Sequence, residues 1–237
     1  MRLQPSICGQ MMALGTASAI SQVVVCIMQV VMNNSLTYYG NQSSIGGDVA
    51  LSAMGIVMKI GMIMTSVCLG IGVGAQDIFG YNFGAQRYDR VKKLYLTALK
   101  AATISLLVGW AICELFPEPI IRIFGAGNQT FVDFAVLSLR VYPAAIFLAG
   151  FQMVSANYFQ ATGQPMKASL LSMLRQLILL VPMLLILPRF FGVNGVLYAG
   201  PITDIGSTIV VLFLMIPEMK KLDKQVQEMP PQEEYII

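Results

Sequence analysis

GIGVGAQDIFGYNFGAQRYDRVKK, residues Gly70–Lys93, joins two long apolar runs and resembles neither. It opens on a cluster of glycines and closes on four cations, Arg87, Arg90, Lys92 and Lys93. Glycines let helices and backbone approach closely. Cations at this density do not sit in hydrocarbon, so the stretch reads as a wet loop between two membrane helices. A short loop rich in Lys and Arg faces the cytoplasm, and the other segments take their orientation from it. Gly70, Gly72 and Gly74 also make a GxGxG run. A dinucleotide-binding fingerprint needs a preceding strand and a βαβ unit, and here an apolar helix precedes it.

Composition agrees with a membrane setting. The chain has 237 residues, 56% of them hydrophobic and 11% charged, with a mean hydropathy of +0.70. A soluble domain carries about 25% charged residues, and less than half of that leaves too few charges to solvate its surface. The net charge of +3 is small and implies no nucleic-acid partner. There is no histidine, which removes Ser-His-Asp and Cys-His catalysis, His–metal sites and imidazole relays together. No nucleophile has a partner base, so an enzyme is not implied, and no metal site is read. Cys8, Cys26, Cys68 and Cys113 lie in apolar segments without CxxC spacing and read as small buried hydrophobes.

Six apolar helices are expected, at about residues 11–34, 49–73, 94–116, 131–159, 168–187 and 193–216. Each is long enough, at ~1.5 Å per residue, to cross a ~30 Å core at least nearly completely. Residues 1–217 thus form one all-α transmembrane lobe, a six-helix bundle, and 218–237 a charged cytoplasmic tail whose end reads as disordered. The opening MRLQPSICGQMMALGTASAI has the outline of a secretory leader, with Arg2 and an Ala17-Ser18-Ala19 site. Gly9 and Gln10 interrupt that run, and apolar sequence continues to Val31, so a first membrane helix is the better reading. Pro117 and Pro119 end the third helix, Pro143 kinks the fourth, and Gly163 with Pro165 separates the fourth from the fifth.

The cations test the topology. Arg2, Arg87, Arg90, Lys92, Lys93, Lys100, Lys167, Arg175, Lys220, Lys221 and Lys224 fall on one side, and Arg122 and Arg189 on the other. Such a bias places both termini in the cytoplasm, in an inner (plasma) membrane protein with six crossings.

Polar groups inside the apolar segments are the candidate site. Ser18, Gln22, Gln29 and Asn33 fall within roughly 60° of one another on the first helix at ~100° per residue. They read either as interhelical hydrogen-bonding groups or as one wall of a polar cavity. Lys59 lies near the middle of the second helix, where a cation costs about 2.5–3.5 kcal/mol on insertion scales. It is either a cavity cation or half of a structural pair. Arg175 and Asp204 lie on consecutive antiparallel helices at depths differing by roughly 5 Å at ~1.5 Å per residue. They read as a buried ion pair, or Asp204, the lone mid-membrane acid, serves as a proton- or cation-linked carboxylate.

Several stretches resemble the MATE (multidrug and toxic compound extrusion) transporters. GGDVALSAMGI at Gly46–Ile56 and GVGAQDIFGYNFGAQRYDRV at Gly72–Val91 resemble their eighth helix and the loop after it. NYFQATGQP at Asn157–Pro165 resembles the end of the tenth. LRQLILLVP at Leu174–Pro182 and LPRFFGVNGVLYAGPITD at Leu187–Asp204 resemble the eleventh and twelfth. The bacterial MepA-like branch is the most similar. The resemblance covers about Gly15 to Lys224 and implies the C-terminal six-helix lobe of a twelve-helix exporter. It implies an antiporter that moves small organic cations against a proton or sodium ion, with no other cofactor. The implied partners are the lipid bilayer and either the missing N-terminal lobe or a second copy. A lipid-linked saccharide flippase of the same superfamily and a non-transporting membrane interaction protein are the alternatives.

The chain also departs from the family pattern. Gln76-Asp77 stands where the family commonly has Gln-Pro, which adds a charge and removes a helix stop. Gly15-Thr16-Ala17-Ser18 lacks the proline expected after the glycine. The first helix has no acid, and the fourth has only Asp133 near its outer end.

Overall fold

A computed structural model describes residues 5–124 and 128–228, with side chains from residue 22 onward. The described residues form helices joined by short turns, without a strand. The helices are α1 (Pro5–Asn41), α2 (Gly47–Gly84), α3 (Tyr88–Leu115), α4 (Pro117–Phe124), α5 (Gln129–Val141), α6 (Ala149–Ala161), α7 (Pro165–Met173), α8 (Val181–Phe191) and α9 (Val193–Gln227). A 3-10 turn, Ile146–Leu148, precedes α6, and a π-helical segment, Leu174–Leu180, joins α7 to α8. Five stretches among the described residues are long and apolar enough to cross a membrane: Gly47–Gly84, Tyr88–Leu115, Gln129–Ala161, Pro165–Phe191 and Val193–Gln227. Ile63, Val108 and Phe213 point outward and exposed, as a lipid-facing surface requires.

The helices run longer than the sequence suggests. The glycine-rich stretch is not a loop: α2 continues through it to Gly84, and only Ala85–Arg87 leave the helix before α3 begins. A glycine inside a helix costs only about 1 kcal/mol relative to alanine, and no proline follows Gln76 to stop the helix. Of the three GxGxG glycines only Gly72 is a close contact. A Cβ there would lie 2.5 Å from Asn157 Nδ2, whereas Gly70 and Gly74 face open space. The turn itself is made by Gln86 at φ 58°.

At the far end α9 runs to Gln227, through Pro217, where a tail was expected from residue 218. Leu222 is buried in the second core, and Lys92 pairs with Asp223, so this extension is held against α3. Residues 229–237, the end expected to be disordered, lie outside the described residues.

Two helices break where proline chemistry demands it. The fourth expected helix divides at Pro143, with residues 142–145 in turns between α5 and the 3-10 segment. Proline has no N–H for the ladder, and its ring crowds the preceding turn. The fifth contains the π segment, for which no expectation was formed. Pro182 cannot donate to the Ile178 carbonyl, which frees the ladder just before it to widen.

The packed interior has two parts. One gathers Met32, Leu36, Ala53, Met54, Leu184 and Val196 toward the α1–α2 and α8–α9 turns. The other gathers Phe79, Tyr95, Leu106, Tyr158, Leu171 and Met215 toward the basic end. Small residues allow close helix contact: a Cβ on Gly150 of α6 would lie 3.4 Å from the Ala102 carbonyl carbon of α3. The Pro143 break, the π segment and the middle of α9 lie between the two cores. Cys68 and Cys113 are buried as expected, but Cys26 is exposed, because its face of α1 carries no neighbouring helix.

Candidate functional site

The α8–α9 turn sets the site's register. Gly192, at φ 60° and ψ −141°, reverses the chain. A Cβ on Gly195 would lie 2.5 Å from the Leu187 carbonyl carbon, so the two helices meet backbone to backbone. That antiparallel contact carries Asp204 to the level of Arg175. The Arg175 Nε–H donates to Asp204 Oδ1 over 2.8 Å. The Arg175 side chain is 33% exposed and that of Asp204 4%. A carboxylate buried this deeply carries a desolvation cost of several kcal/mol, which the hydrogen-bonded guanidinium offsets.

The pair borders a cavity of about 360 Å³ that opens between α1, α2, the Pro143 break, the π segment and α9. Its polar lining includes Gln29, Lys59, Tyr142, Arg175, Gln176 and Asp204. Met28, Val57, Met62, Ile146 and Leu180 make much of the rest. The break at Pro143 brings Tyr142 onto α9 at Gly200. A Cβ on Gly200 would lie 2.6 Å from the Tyr142 carbonyl oxygen and 2.9 Å from its ring. Broken helix, π segment and glycine together create the recess.

The polar stripe of the first helix divides. The Ser18 side chain lies outside the described residues. Gln22 lines a smaller recess of about 110 Å³, which shares Gln176 with the main cavity. Gln29 lines the main cavity and donates to Asn33 Oδ1 over 3.2 Å, while Asn33 itself stands outside the lining. Interhelical hydrogen bonds of α1 lie off the stripe: Ser35 donates to the Leu184 carbonyl at 3.3 Å, and Asn41 Oδ1 accepts from the Gly47 N–H at 2.9 Å. Lys59 lines the cavity, and among the described residues it forms no ion pair. The structural pair considered for it is therefore absent among those residues. Arg140 pairs with Glu114 at 3.6 Å instead of entering the cavity.

Three features escaped the sequence reading. Tyr142 and Gln176 each sit beside a residue that was singled out, Pro143 and Arg175, but carry no signal of their own. The third is Glu218, read as the start of a tail. It is buried and accepts from Gln164 Nε2 at 2.9 Å, and Lys167 Nζ lies 3.6 Å from its other oxygen. The Tyr158 hydroxyl approaches it at 3.5 Å. This network ties α9 to the turn between α6 and α7.

Comparison with known proteins places this geometry. The MatE family model matches residues 17–186. The multidrug export protein MepA of Staphylococcus aureus (strain N315) is 25% identical over 195 residues, covering 78% of this chain and 39% of that protein. A solved inward-facing multidrug resistance MATE family transporter of the MOP superfamily superposes with a TM-score of 0.83 at 21% identity, covering 94% of this chain and 50% of that one. An outward-facing structure gives 0.82 at 21% identity, covering 94% and 49%. The chain thus spans less than half the length of that curated relative and about half that of the solved transporters.

Proposed function

This chain belongs to the MatE family, and we propose that it acts as the C-terminal lobe of a two-lobed multidrug efflux antiporter. The observation that carries this reading is coverage. The solved transporters account for 94% of this chain, while this chain accounts for half of them. Alternating access works by one repeat rocking against another around a site at their interface. A single lobe supplies one wall. The second wall comes from an N-terminal lobe, or from a second copy of this chain, across the bilayer-embedded face.

In this reading the lobe crosses an inner (plasma) membrane six times, α1 included, with both termini cytoplasmic. The substrates are small organic cations held between the lobes, and a proton or a sodium ion drives the exchange. Asp204 is the carboxylate available within this lobe for coupling, with Arg175 as its counter-charge. The flippase alternative gains no support from the charges. Of Lys59, Arg140 and Arg175, one lies outside the cavity and one is neutralised by Asp204. The test is drug susceptibility of a pump-deficient bacterium expressing this chain with and without a matching first lobe.

A further inference from the structure

We propose that the cavity inside this lobe is a binding site for a small apolar organic monoanion, with Lys59 as its counter-ion. The proposal does not rest on the efflux reading.

The charges decide the sign of the ligand. Three charged side chains line the cavity: Lys59, Arg175 and Asp204. Arg175 and Asp204 are bound to each other at 2.8 Å, so they cancel. Among the described residues Lys59 then leaves the lining with one uncompensated positive charge. None of the first 21 residues is acidic, so the undescribed side chains of α1 bring no hidden carboxylate. On α2 itself the acids are Asp48 and Asp77, about 16 Å and 27 Å away along the axis at ~1.5 Å per residue. A cation at this depth must face water or an anion.

The remaining lining decides the class. Val57, Met62 and Ile146 offer an apolar body-binding surface. At about 360 Å³ the space lies near the small end of the roughly 300–1,000 Å³ range of small-molecule sites. It suits a one- or two-ring carboxylate and is too small for a whole phospholipid. An organic cation would meet Lys59 with no free carboxylate to balance it. Gly61 lines the same wall, and a Cβ there would meet nothing within 4 Å, so this position borders the empty space.

The experiment is equilibrium binding of radiolabelled 2-naphthoate to the full chain in phosphatidylcholine nanodiscs. Saturable binding is expected, weakened at least tenfold by Lys59→Met and retained by Lys59→Arg. Gly61→Leu places its Cβ in open space and its branch in the recess, and should abolish binding at an unchanged melting temperature. It keeps the test decisive if Lys59→Met folds poorly. Tetraphenylphosphonium should not compete. Absence of saturable binding, full binding by folded Lys59→Met, or equal competition by tetraphenylphosphonium would overturn the proposal. Displacement of naphthoate by phosphatidylglycerol added to the disc would assign the site to a lipid headgroup and overturn it as well. Any of these failures leaves the co-expression test of the two-lobed transporter unaffected.

Discussion

Arg175 and Asp204 meet at 2.8 Å across two antiparallel segments, one of them π-helical and the other the part of α9 just after Pro201. Asp204 is the buried member of the pair, and Arg175 reaches it from the cavity wall. Asp204→Asn should therefore lower stability in detergent by about 1–3 kcal/mol, because it leaves the one-third-exposed Arg175 guanidinium without its charged acceptor. Adding Arg175→Gln should recover part of it, because the orphaned charge is gone. Thermal unfolding of the wild type, both singles and the double checks this. A double variant as damaged as the sum of the singles would mean the pair is not energetically coupled.

The glycines of the lobe should divide by what a methyl would strike. At Gly195 and Gly200 the nearest atoms are backbone, at 2.5 Å and 2.6 Å, so helices must move to admit a Cβ. Alanine at either position should destabilise by about 1–3 kcal/mol. Gly74→Ala meets nothing within 4 Å and should be neutral or stabilising by up to about 1 kcal/mol. Equal melting temperatures for all three variants would contradict the close hairpin contact.

Glu218→Ala strips Gln164 and Lys167 of their shared acceptor and should lower stability by about 1–3 kcal/mol. It should also loosen the end of α9, seen as faster amide exchange from residue 218 to 227. Unchanged exchange there would show that Lys92–Asp223 and the packing of Leu222 hold the extension without it.

The proposed orientation rests on the charge distribution. Single cysteines at Arg90 and Asn128, in a background without the native cysteines, should react with an impermeant thiol reagent from opposite sides of the membrane. Equal labelling of both from outside would reverse or refute the topology.

The all-α membrane fold was legible because charge is scarce and apolar runs recur between short polar turns. The Arg175–Asp204 pair was legible because a short hairpin fixes the depth of both residues. The extent of the helices was not. Glycines at Gly70–Gly74 read as loop punctuation, yet a helix surrounded by lipid or protein has no competing water for its backbone, and it continued. The π segment was illegible for a related reason. Pro182 announces a missing hydrogen bond but not how the preceding turn accommodates it. Lys59 left two readings open, and the sequence could not show that it lines the cavity without an ion-pair partner among the described residues. Glu218 was misread because a charged, proline-preceded stretch after the last apolar run resembles a tail, and its burial depends on the turn between α6 and α7.

Drug susceptibility in a bacterium lacking its own pumps tests the central claim most directly. Cells would express residues Met1–Ile237 alone, a matching six-helix first lobe alone, or both. Growth with ethidium should be unprotected by either lobe and protected by the pair, with protection lost on adding a protonophore or removing sodium. Protonophore-sensitive resistance from this chain alone would assign the second wall to a second copy, and no protection from the pair or from this chain alone would contradict the account.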